Sequence, residues 1–439
     1  MAIIPQESLF SWEDVDNLGD LQRLKYVIDS LPDESLMRKL ENERGNGRDD
    51  YPVRAMWNSL MAMIVFEHNG VESLRRELGR NGQLRDLCGF DPFKFNPVPS
   101  SSAYTRFTLT LMNNINAVFQ IFDSLVELLR KELPDFGEVM GIDGKAVQSR
   151  ARKKSKNMNA GGRGEHDADW GAKTTFVKNR NGLLEKTQNA WFGFKLHTLA
   201  DCTYELPIAF KITEASCAEQ PEAIRLLGHV EAQHRLLLKR CAYFLGDKGY
   251  DFTQIYTKLW DDYQIKPVIA IRDMWQDVEG GDGTRKVKTL KNVSYDFKGN
   301  VYCYDQHGDR LRMAHGGFEK DRNCIKFRCP ALHYGIDCPS KNNCPVRTAV
   351  RIPLKEDRRI FVPLARQSCQ WQTQYNKRGA CERIYSRFDG NFGFENHTIR
   401  GKRKMELRVA MAYMVMLAMA LGRIKAKQLE NIRSLVKVA

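Results

Sequence analysis

The stretch Phe244-Leu245-Gly246-Asp247-Lys248-Gly249-Tyr250 places an aspartate directly after a short apolar run, and Gly141-Ile142-Asp143-Gly144-Lys145 has the same arrangement upstream. Short apolar runs bounded by glycine are typical of buried strands, so each aspartate is expected at the end of a strand. A single aspartate in that position is more often a turn residue or a helix cap. Two such strand ends in one sheet favour paired carboxylates, which are natural ligands of a divalent cation.

A third acid follows much later, in Tyr375-x2-Arg378-x3-Glu382. This near-helical spacing predicts that the three side chains share one face of a helix. Arginine suits bidentate phosphate binding and tyrosine suits stacking or hydrogen bonding, whereas a plain Arg378–Glu382 ion pair is the alternative and is compatible with function. Three acids that converge can hold two Mg²⁺ or Mn²⁺ ions, the minimal apparatus for cutting and rejoining phosphodiester bonds.

The composition favours a polyanionic partner. The 439 residues carry a formal net charge of +14 with a pI near 9.2, which favours nucleic acid over a membrane surface, although basic surfaces also serve solubility. The start, Met1 to Pro5, lacks the basic and apolar parts of a secretory signal. The most apolar stretch, Val409 to Gly422, is short for a membrane span and is predicted to be a buried helix. Eleven cysteines without a signal peptide indicate a reducing compartment, so we expect a cytoplasmic, nucleoid-associated protein.

The hydrophobic pattern divides the chain into four regions: 1–135, 136–272, 273–370 and 371–439. The first is predicted to be helical, because apolar residues recur at helical spacing along it. The second alternates strands with helices, and the third contains short β-prone pieces. The fourth is predicted to be helical from Tyr375 nearly to the end of the chain.

The fold class is predicted from the second region, residues 136–272. Its strands are expected at Val139–Ile142, Trp191–Leu199, Leu206–Ile212, Ala242–Leu245 and Pro267–Ile271, with helices at Gln220–Leu237 and Phe252–Trp260. The order β-β-β-α-β-α-β is that of an RNase H-like catalytic core, in which the first and fourth strands are neighbours. The predicted fold class is therefore α/β: a mixed five-stranded sheet with helices, a helical N-terminal domain, and a β-rich insertion before the last catalytic helix.

These motifs together resemble the DDE transposases of bacterial insertion sequences, in the subgroup with a Tyr–Arg–Glu–Lys signature. The resemblance covers nearly the whole chain and is carried by Tyr375, Arg378 and Glu382 and by the tripeptide and tetrapeptide that begin at Asp143 and Asp247. The lysine of the signature falls at Asp389, and Arg387 is its candidate substitute. The run from Tyr51 to Phe107 is similar to the helical domain of these transposases that is thought to bind element ends, although such helices also form plain structural bundles.

The resemblance implies a metal-dependent DNA transposase. Asp143 would bridge both metal ions, while Asp247 and Glu382 would each bind one of them. The protein would bind the ends of its element, cut with a metal-activated water to free a 3′-OH, and join that 3′-OH to target DNA, working as a homodimer on DNA and away from membranes. Two alternatives stay open: a nuclease of the same fold without strand transfer, and an inactive, domesticated DNA-binding protein.

Several cations are candidates for contacts with DNA phosphates. Lysines beside the acids can reach scissile or flanking phosphates, and a basic, glycine-containing loop near Asp143 suits contacts that form on DNA binding. For each of them, a solvated surface cation is the alternative. Together with Tyr375 and Arg378, the candidates are Lys145, Lys248, Lys195 (in Gly193-Phe194-Lys195-Leu196-His197), Arg150, Lys153, Lys154, Lys402, Arg403 and Lys404.

The cysteines of the third region are clustered: Cys303, Cys324, Cys329, Cys338 and Cys344. Their spacing is looser than that of zinc knuckles. A structural Zn²⁺ site and a set of free thiols are both compatible with this pattern.

Overall fold

The computed structural model describes residues 18–45, 51–91, 97–151, 165–178, 184–272, 275, 283–340 and 343–436. The chain forms two compact units. Unit 1 comprises Met1–Phe136, Gly144–Cys217 and Cys381–Ala439, and unit 2 comprises Gly137–Asp143 and Ala218–Ala380.

The helices of the described residues fall into three groups along the chain. Those before residue 136 are α1 Leu21–Ser30, α2 Glu34–Arg44, α3 Val53–Val65, α4 Val71–Arg80, α5 Gly82–Cys88, α6 Ser101–Asn113 and α7 Ile115–Glu132. Those that lie wholly in unit 2 are α8 Glu219–Gln233, α9 Arg235–Arg240, α10 Thr253–Thr257, α11 Pro330–Tyr334 and α12 Cys369–Asn376. The last are α13 Gly379–Phe392, which starts in unit 2 and continues into unit 1, and α14 Lys402–Lys425.

The largest sheet has six strands: β1 Val139–Gln148, β2 Asp169–Lys178, β3 Leu184–Asp201, β4 Leu206–Glu214, β5 Tyr243–Gly246 and β6 Lys266–Ile269. Their order is β2-β3-β1-β5-β6, with β4 also paired to β3. The 18-residue strand β3 pairs in antiparallel fashion with β2 through its first half and with β4 through its second half. In unit 2, β5 runs parallel to both β1 and β6. The mixed α/β class is thus confirmed, and the sheet has one strand more than the five expected.

The additional strand, β2, was not predicted from the sequence because it lacks an apolar run. Its residues from Asp169 to Thr174 are exposed except for Gly171, and Trp170 alone exposes 42% of its surface. A strand of this kind gains its stability from pairing with its hairpin partner rather than from a buried face. The hydrophobic pattern of the sequence therefore gives almost no indication of this strand.

Helix α14 forms the centre of unit 1. It packs against α1, α3, α6, α7 and β4, and every residue from Val409 to Gly422 is buried. The prediction of a buried helix in this stretch is confirmed. By length and composition α14 could cross a membrane, but 94% of its most apolar window is buried inside the protein, which is typical of a core helix.

Unit 2 contains two small antiparallel sheets after β6. The first consists of β7 Thr284–Lys286, β8 Val293–Asp296, β9 Val301–Tyr304 and β10 Arg310–Arg312, in the order β10-β9-β8-β7. The second consists of β11 Ala314–Glu319, β12 Cys324–Arg328 and β13 Ala349–Pro353. The sheets share one apolar core that includes Val301, Phe327, Ile352 and Phe361. The β-prone pieces Val301–Tyr304 and Ile325–Phe327 of the third region therefore do lie in strands, whereas Arg359–Val362, also predicted to be β-prone, forms a turn and an irregular stretch.

Candidate active site

The pairing of β1 and β5 brings the chain segments that carry two of the candidate acids side by side in unit 2. The strands are parallel, and Val139, Met140 and Gly141 lie opposite Tyr243, Phe244 and Leu245. The paired positions end at Gly141 and Leu245, two residues before each aspartate. Asp247 directly follows β5 as expected, whereas Asp143 lies within β1, which continues to Gln148, so the expectation that Asp143 ends a strand is wrong.

Asp247 is held in place by the turn that follows β5. Its backbone is extended, and it caps the short 3₁₀ helix Lys248–Tyr250 by accepting a hydrogen bond from the Gly249 N–H to Oδ1 (2.7 Å). The carbonyl of Gly249 accepts hydrogen bonds from the side chains of Gln220 and Arg272, each at 2.6 Å. These bonds fix the loop that carries Asp247, and Lys248 is left exposed beside it.

A further acid, Glu219, lies next to Asp247 and was not found by sequence reasoning. A Cβ atom on Gly249 would collide with Oε2 of Glu219 and with Oδ1 of Asp247 (2.7 Å). The two carboxylate groups therefore approach each other across a space that only glycine leaves open. Glu219 is the first residue of α8 and belongs to no motif, so its position became evident only from the fold.

The donors on this side of the sheet suit a hard divalent cation. Asp143, Asp247 and Glu219 offer carboxylate oxygens, which Mg²⁺ and Mn²⁺ prefer, and oxygens of Asp247 and Glu219 meet above Gly249. Among the described residues the three acids do not lie close enough together to form a complete ligand group.

The segment that carries the third acid consists of two helices, so the prediction of one helix face for Tyr375, Arg378 and Glu382 is wrong. Helix α12 ends at Asn376, and α13 begins at Gly379. In the connecting turn the Arg378 N–H donates to the Tyr375 carbonyl, three residues back (3.0 Å), instead of four back as in an α-helix. Gly379 is a weak helix former, which favours the break. Glu382 lies exposed in the first turn of α13.

Tyr375 and Arg378 have partners within unit 2. The Tyr375 ring stacks on Trp371 with a centroid distance of 4.8 Å and an interplanar angle of 12°. The Arg378 guanidinium carbon lies 5.9 Å from the centre of the Tyr375 ring. The three side chains Trp371, Tyr375 and Arg378 therefore form one local group.

Asp389, which occupies the position of the signature lysine, forms an ion pair with Lys145 inside unit 1. Both side chains are largely buried, and the Lys145 ammonium lies 5.9 Å from the centre of the Tyr385 ring. Burial raises the pKa of the Asp389 carboxyl, while the hydrogen bond and charge of Lys145 lower it. The second oxygen of Asp389, Oδ1, is buried without a hydrogen-bond partner in the described part of the chain. Lys145 is therefore engaged by a carboxylate of its own protein.

Arg387, the candidate substitute for the missing lysine, has a structural role instead: its guanidinium holds the turn at Glu205. Its guanidinium donates to the carbonyls of Arg433 and Glu205, at 2.8 Å each, and to the Glu205 carboxylate. Arg383 and Arg433 pair with the same carboxylate, which is almost fully buried. Glu205 adopts a left-handed backbone (φ +59°) in the turn between β3 and β4. Arg387 thus fastens this turn to α13, and its donors are already used.

A polar cavity of about 520 Å³ in unit 1 adjoins the Lys145–Asp389 pair. Its walls include Arg150, Asn396 and His397. Burial lowers the pKa of His397, so this imidazole is neutral at physiological pH. The cavity therefore offers cations and neutral donors beside the strand that carries Lys145.

The Gly193-Phe194-Lys195-Leu196-His197 motif has a structural role in unit 1. Gly193 permits a close approach of β3 to β1, because a Cβ there would collide with the backbone of Val147 and Ser149. Lys195 donates to the Cys217 carbonyl (2.9 Å). His197 is fully buried, shares a hydrogen bond with Thr213 (2.9 Å), and has its pKa lowered to about 3 by burial and by the nearby Lys195.

The basic start of α14 is partly used inside unit 1. Lys402 pairs with Glu214 (3.3 Å), and Arg403 donates to the Met112 carbonyl (3.1 Å). Lys404 is exposed. Two further candidate cations, Lys153 and Lys154, lie outside the described residues.

Comparison with known proteins identifies the class of this chain. Residues 155–418, more than half of the sequence, match the Transposase DDE domain, and the chain belongs to that family. Asp247 and Glu382 lie inside the matched residues, and Asp143 lies upstream of them. No curated protein matches. A solved structure, the piggyBac transposase synaptic complex with hairpin DNA, is similar over 95% of this chain and 80% of its own chain, with 11% identity and a TM-score of 0.38.

Proposed function

We propose that this protein is the transposase of a bacterial insertion sequence, with an RNase H-like catalytic core. It binds the ends of its element, cleaves phosphodiester bonds there by two-metal hydrolysis, and joins the freed 3′-OH to target DNA. Membership of the Transposase DDE domain family supports the reaction class. The proposal further assigns the protein to the cytoplasm, as a homodimer assembled on DNA.

One observation carries the assignment of the catalytic centre. The chain segments that carry Asp143 and Asp247 pair as the neighbouring parallel strands β1 and β5, although the two aspartates lie far apart in the sequence and Asp143 is outside the family match. Glu382 is retained as the third acid, as the Tyr–Arg–Glu signature predicts.

The chemistry assigned to these acids is that of divalent-metal catalysis, which this family generally uses. Asp143, Asp247 and Glu382 would hold two Mg²⁺ or Mn²⁺ ions, which when bound activate a water and neutralise charge on the scissile phosphate. The Gly249 N–H orients the Asp247 carboxylate for this task. Lys248, exposed beside Asp247, is suited to contact a flanking phosphate.

The charge of the chain supports DNA as the substrate. A net charge of +14 favours binding to a polyanion, and each neutralised phosphate releases condensed counterions. The affinity for element ends should therefore fall linearly with salt on a double-logarithmic scale. Binding that is independent of salt would contradict the electrostatic argument.

An end-cleavage and strand-transfer assay tests the proposal. Asp143→Asn, Asp247→Asn and Glu382→Gln should each abolish cleavage and joining in Mg²⁺ while end binding persists. Asp309→Asn, in an exposed hairpin turn of unit 2, is the matched control and should retain both steps. An acid whose variant cleaves like the wild type does not belong to the site. Cleavage without joining would identify a nuclease, and binding without cleavage would identify a DNA-binding protein.

A further inference from the structure

Four of the five clustered cysteines belong to, or pack against, one apolar core in unit 2. Cys303 lies in β9, Cys329 directly precedes α11, and Cys338 and Cys344 lie in the connection from α11 to β13. Cys303 and Cys329 are buried members of the core that the two small sheets share, and Cys338 and Cys344 pack against that core. Three separate stretches of chain thus deliver sulfur atoms to the same core.

The connection between β12 and β13 returns its cysteines to the base of the sheet. Arg328 pairs with Ala349 at the end of the antiparallel ladder, and the Cys329 N–H donates to the Thr348 carbonyl (3.0 Å). The Arg347 N–H donates to the Cys344 carbonyl (3.2 Å). The connection is therefore closed by backbone hydrogen bonds at its two ends.

Cys324 is not part of this group. Its Sγ lies 3.7 Å from Oε2 of Glu319, and its charged neighbours are Glu319, Arg351 and Arg322.

We propose that Cys303, Cys329, Cys338 and Cys344 bind one structural Zn²⁺ ion. Four thiolates are the complete ligand set of a closed, tetrahedral zinc site. Cys329, Cys338 and Cys344 are each followed by proline, which restricts the backbone of the cysteine to extended conformations and so reduces the entropy lost on binding. The site joins the two small sheets, whose strands of three to six residues give each sheet a small area to bury.

Zinc coordination requires these sulfur atoms to move closer together. Among the described residues, no three of these sulfurs lie within 4.8 Å of one another, whereas ligands of one zinc ion must lie closer than that. Cys338 and Cys344 are only half-buried and lie outside the strands, so they can turn inward without breaking a sheet. The free energy of zinc binding to four thiolates greatly exceeds the cost of such rotamer changes.

Metal analysis of the full-length protein under reducing conditions tests this proposal. We expect one Zn²⁺ per chain after dialysis against a weak chelator, and we expect added Co²⁺ to give thiolate-to-metal charge-transfer absorption. Cys303→Ser and Cys338→Ser should lower zinc affinity by more than about 10-fold. Cys324→Ser is the matched control, because this buried cysteine lies on the neighbouring strand β12 and should keep the metal.

Cys303 is buried, so Cys303→Ser could prevent folding. Cys338 is only half-buried, so Cys338→Ser should fold and still report the loss of a zinc ligand. A wild-type protein without zinc after loading and dialysis would overturn the proposal, and so would an equal loss of zinc in Cys324→Ser. Metal content is measured without DNA, so failure here is distinguishable from failure of the proposed transposase activity.

Discussion

Replacing Asp389 by lysine should damage the protein, although it restores the residue of the Tyr–Arg–Glu–Lys signature. From the sequence alone, the same substitution would be expected to be neutral or to improve strand joining, because an acid would repel phosphate. In the structure Asp389 is the partner of Lys145, and both side chains expose only 18% of their surface. A lysine at position 389 would bring two ammonium groups together in a largely buried place.

The size of the effect follows from the burial of the pair. A hydrogen bond to a charged group contributes about 1.5–3 kcal/mol, so Asp389→Asn should lower the free energy of unfolding by about that amount. Asp389→Lys removes the partner of the largely buried Lys145 and places a second positive charge beside it. Leaving a buried charge unpaired in this way costs about 3–5 kcal/mol of the free energy of unfolding. The lysine variant should therefore be clearly less stable than the asparagine variant.

Urea unfolding and the strand-transfer assay measure the two consequences separately. The charge swap Lys145→Asp with Asp389→Lys should regain most of the lost stability, because the ion pair is restored in reverse. Joining should recover together with stability in the swap, because Lys145 is engaged by Asp389 rather than by phosphate. Asp309→Lys, an exposed charge reversal, is the control and should change stability by less than about 0.5 kcal/mol.

Two results would refute this reasoning. Asp389→Lys with the stability of the wild type would show that the ion pair contributes nothing. Asp389→Lys with improved joining would show that position 389 contacts phosphate directly, as the signature implies.

Three further predictions concern other parts of the chain. Glu205→Gln should lower the free energy of unfolding by about 3–5 kcal/mol, because three arginines lose their buried counter-ion, whereas the exposed Glu214→Gln should change it little in thermal melts. The pKa of His197 is near 3 in the folded state and near 6.5 in the unfolded state, so the unfolded state takes up the proton first as the pH falls. The free energy of unfolding should therefore decrease by about 1.4 kcal/mol per pH unit below pH 6.5. A His197→Gln variant with the same dependence on pH would contradict this. Gly249→Ala should abolish cleavage and retain end binding, because its methyl group pushes against two carboxylates, while Gly228→Ala, which has open space, should cleave normally.

The sequence was most informative where chemistry and local pattern coincide. Asp143 and Asp247 each follow a buried apolar run, and such runs predict strands whichever partners they find. The long apolar stretch of α14 likewise predicted a buried helix. In both cases the signal is local, so no knowledge of the tertiary structure was needed.

Features that depend on distant residues could not be predicted. Lys145 and Asp389 are 244 positions apart, and no local pattern connects them. Glu219 is an ordinary first-turn acid of a helix until the Gly249 turn is folded against it. The break at Arg378 was hidden because Tyr375 and Glu382 keep helical spacing across it, and the hydrogen bonds of the turn decide the geometry.

The position of α14 in the chain has a consequence for biosynthesis. This helix is the centre of unit 1, yet the ribosome makes it long after α1, α3 and α7 have emerged with apolar faces that it will cover. Residues 218–380 of unit 2 are contiguous and can fold during translation. A chain that stops before Lys402 would keep the apolar faces of those helices uncovered. Termination before α14 should therefore yield an aggregating or rapidly degraded fragment, so that only chains that include this helix accumulate.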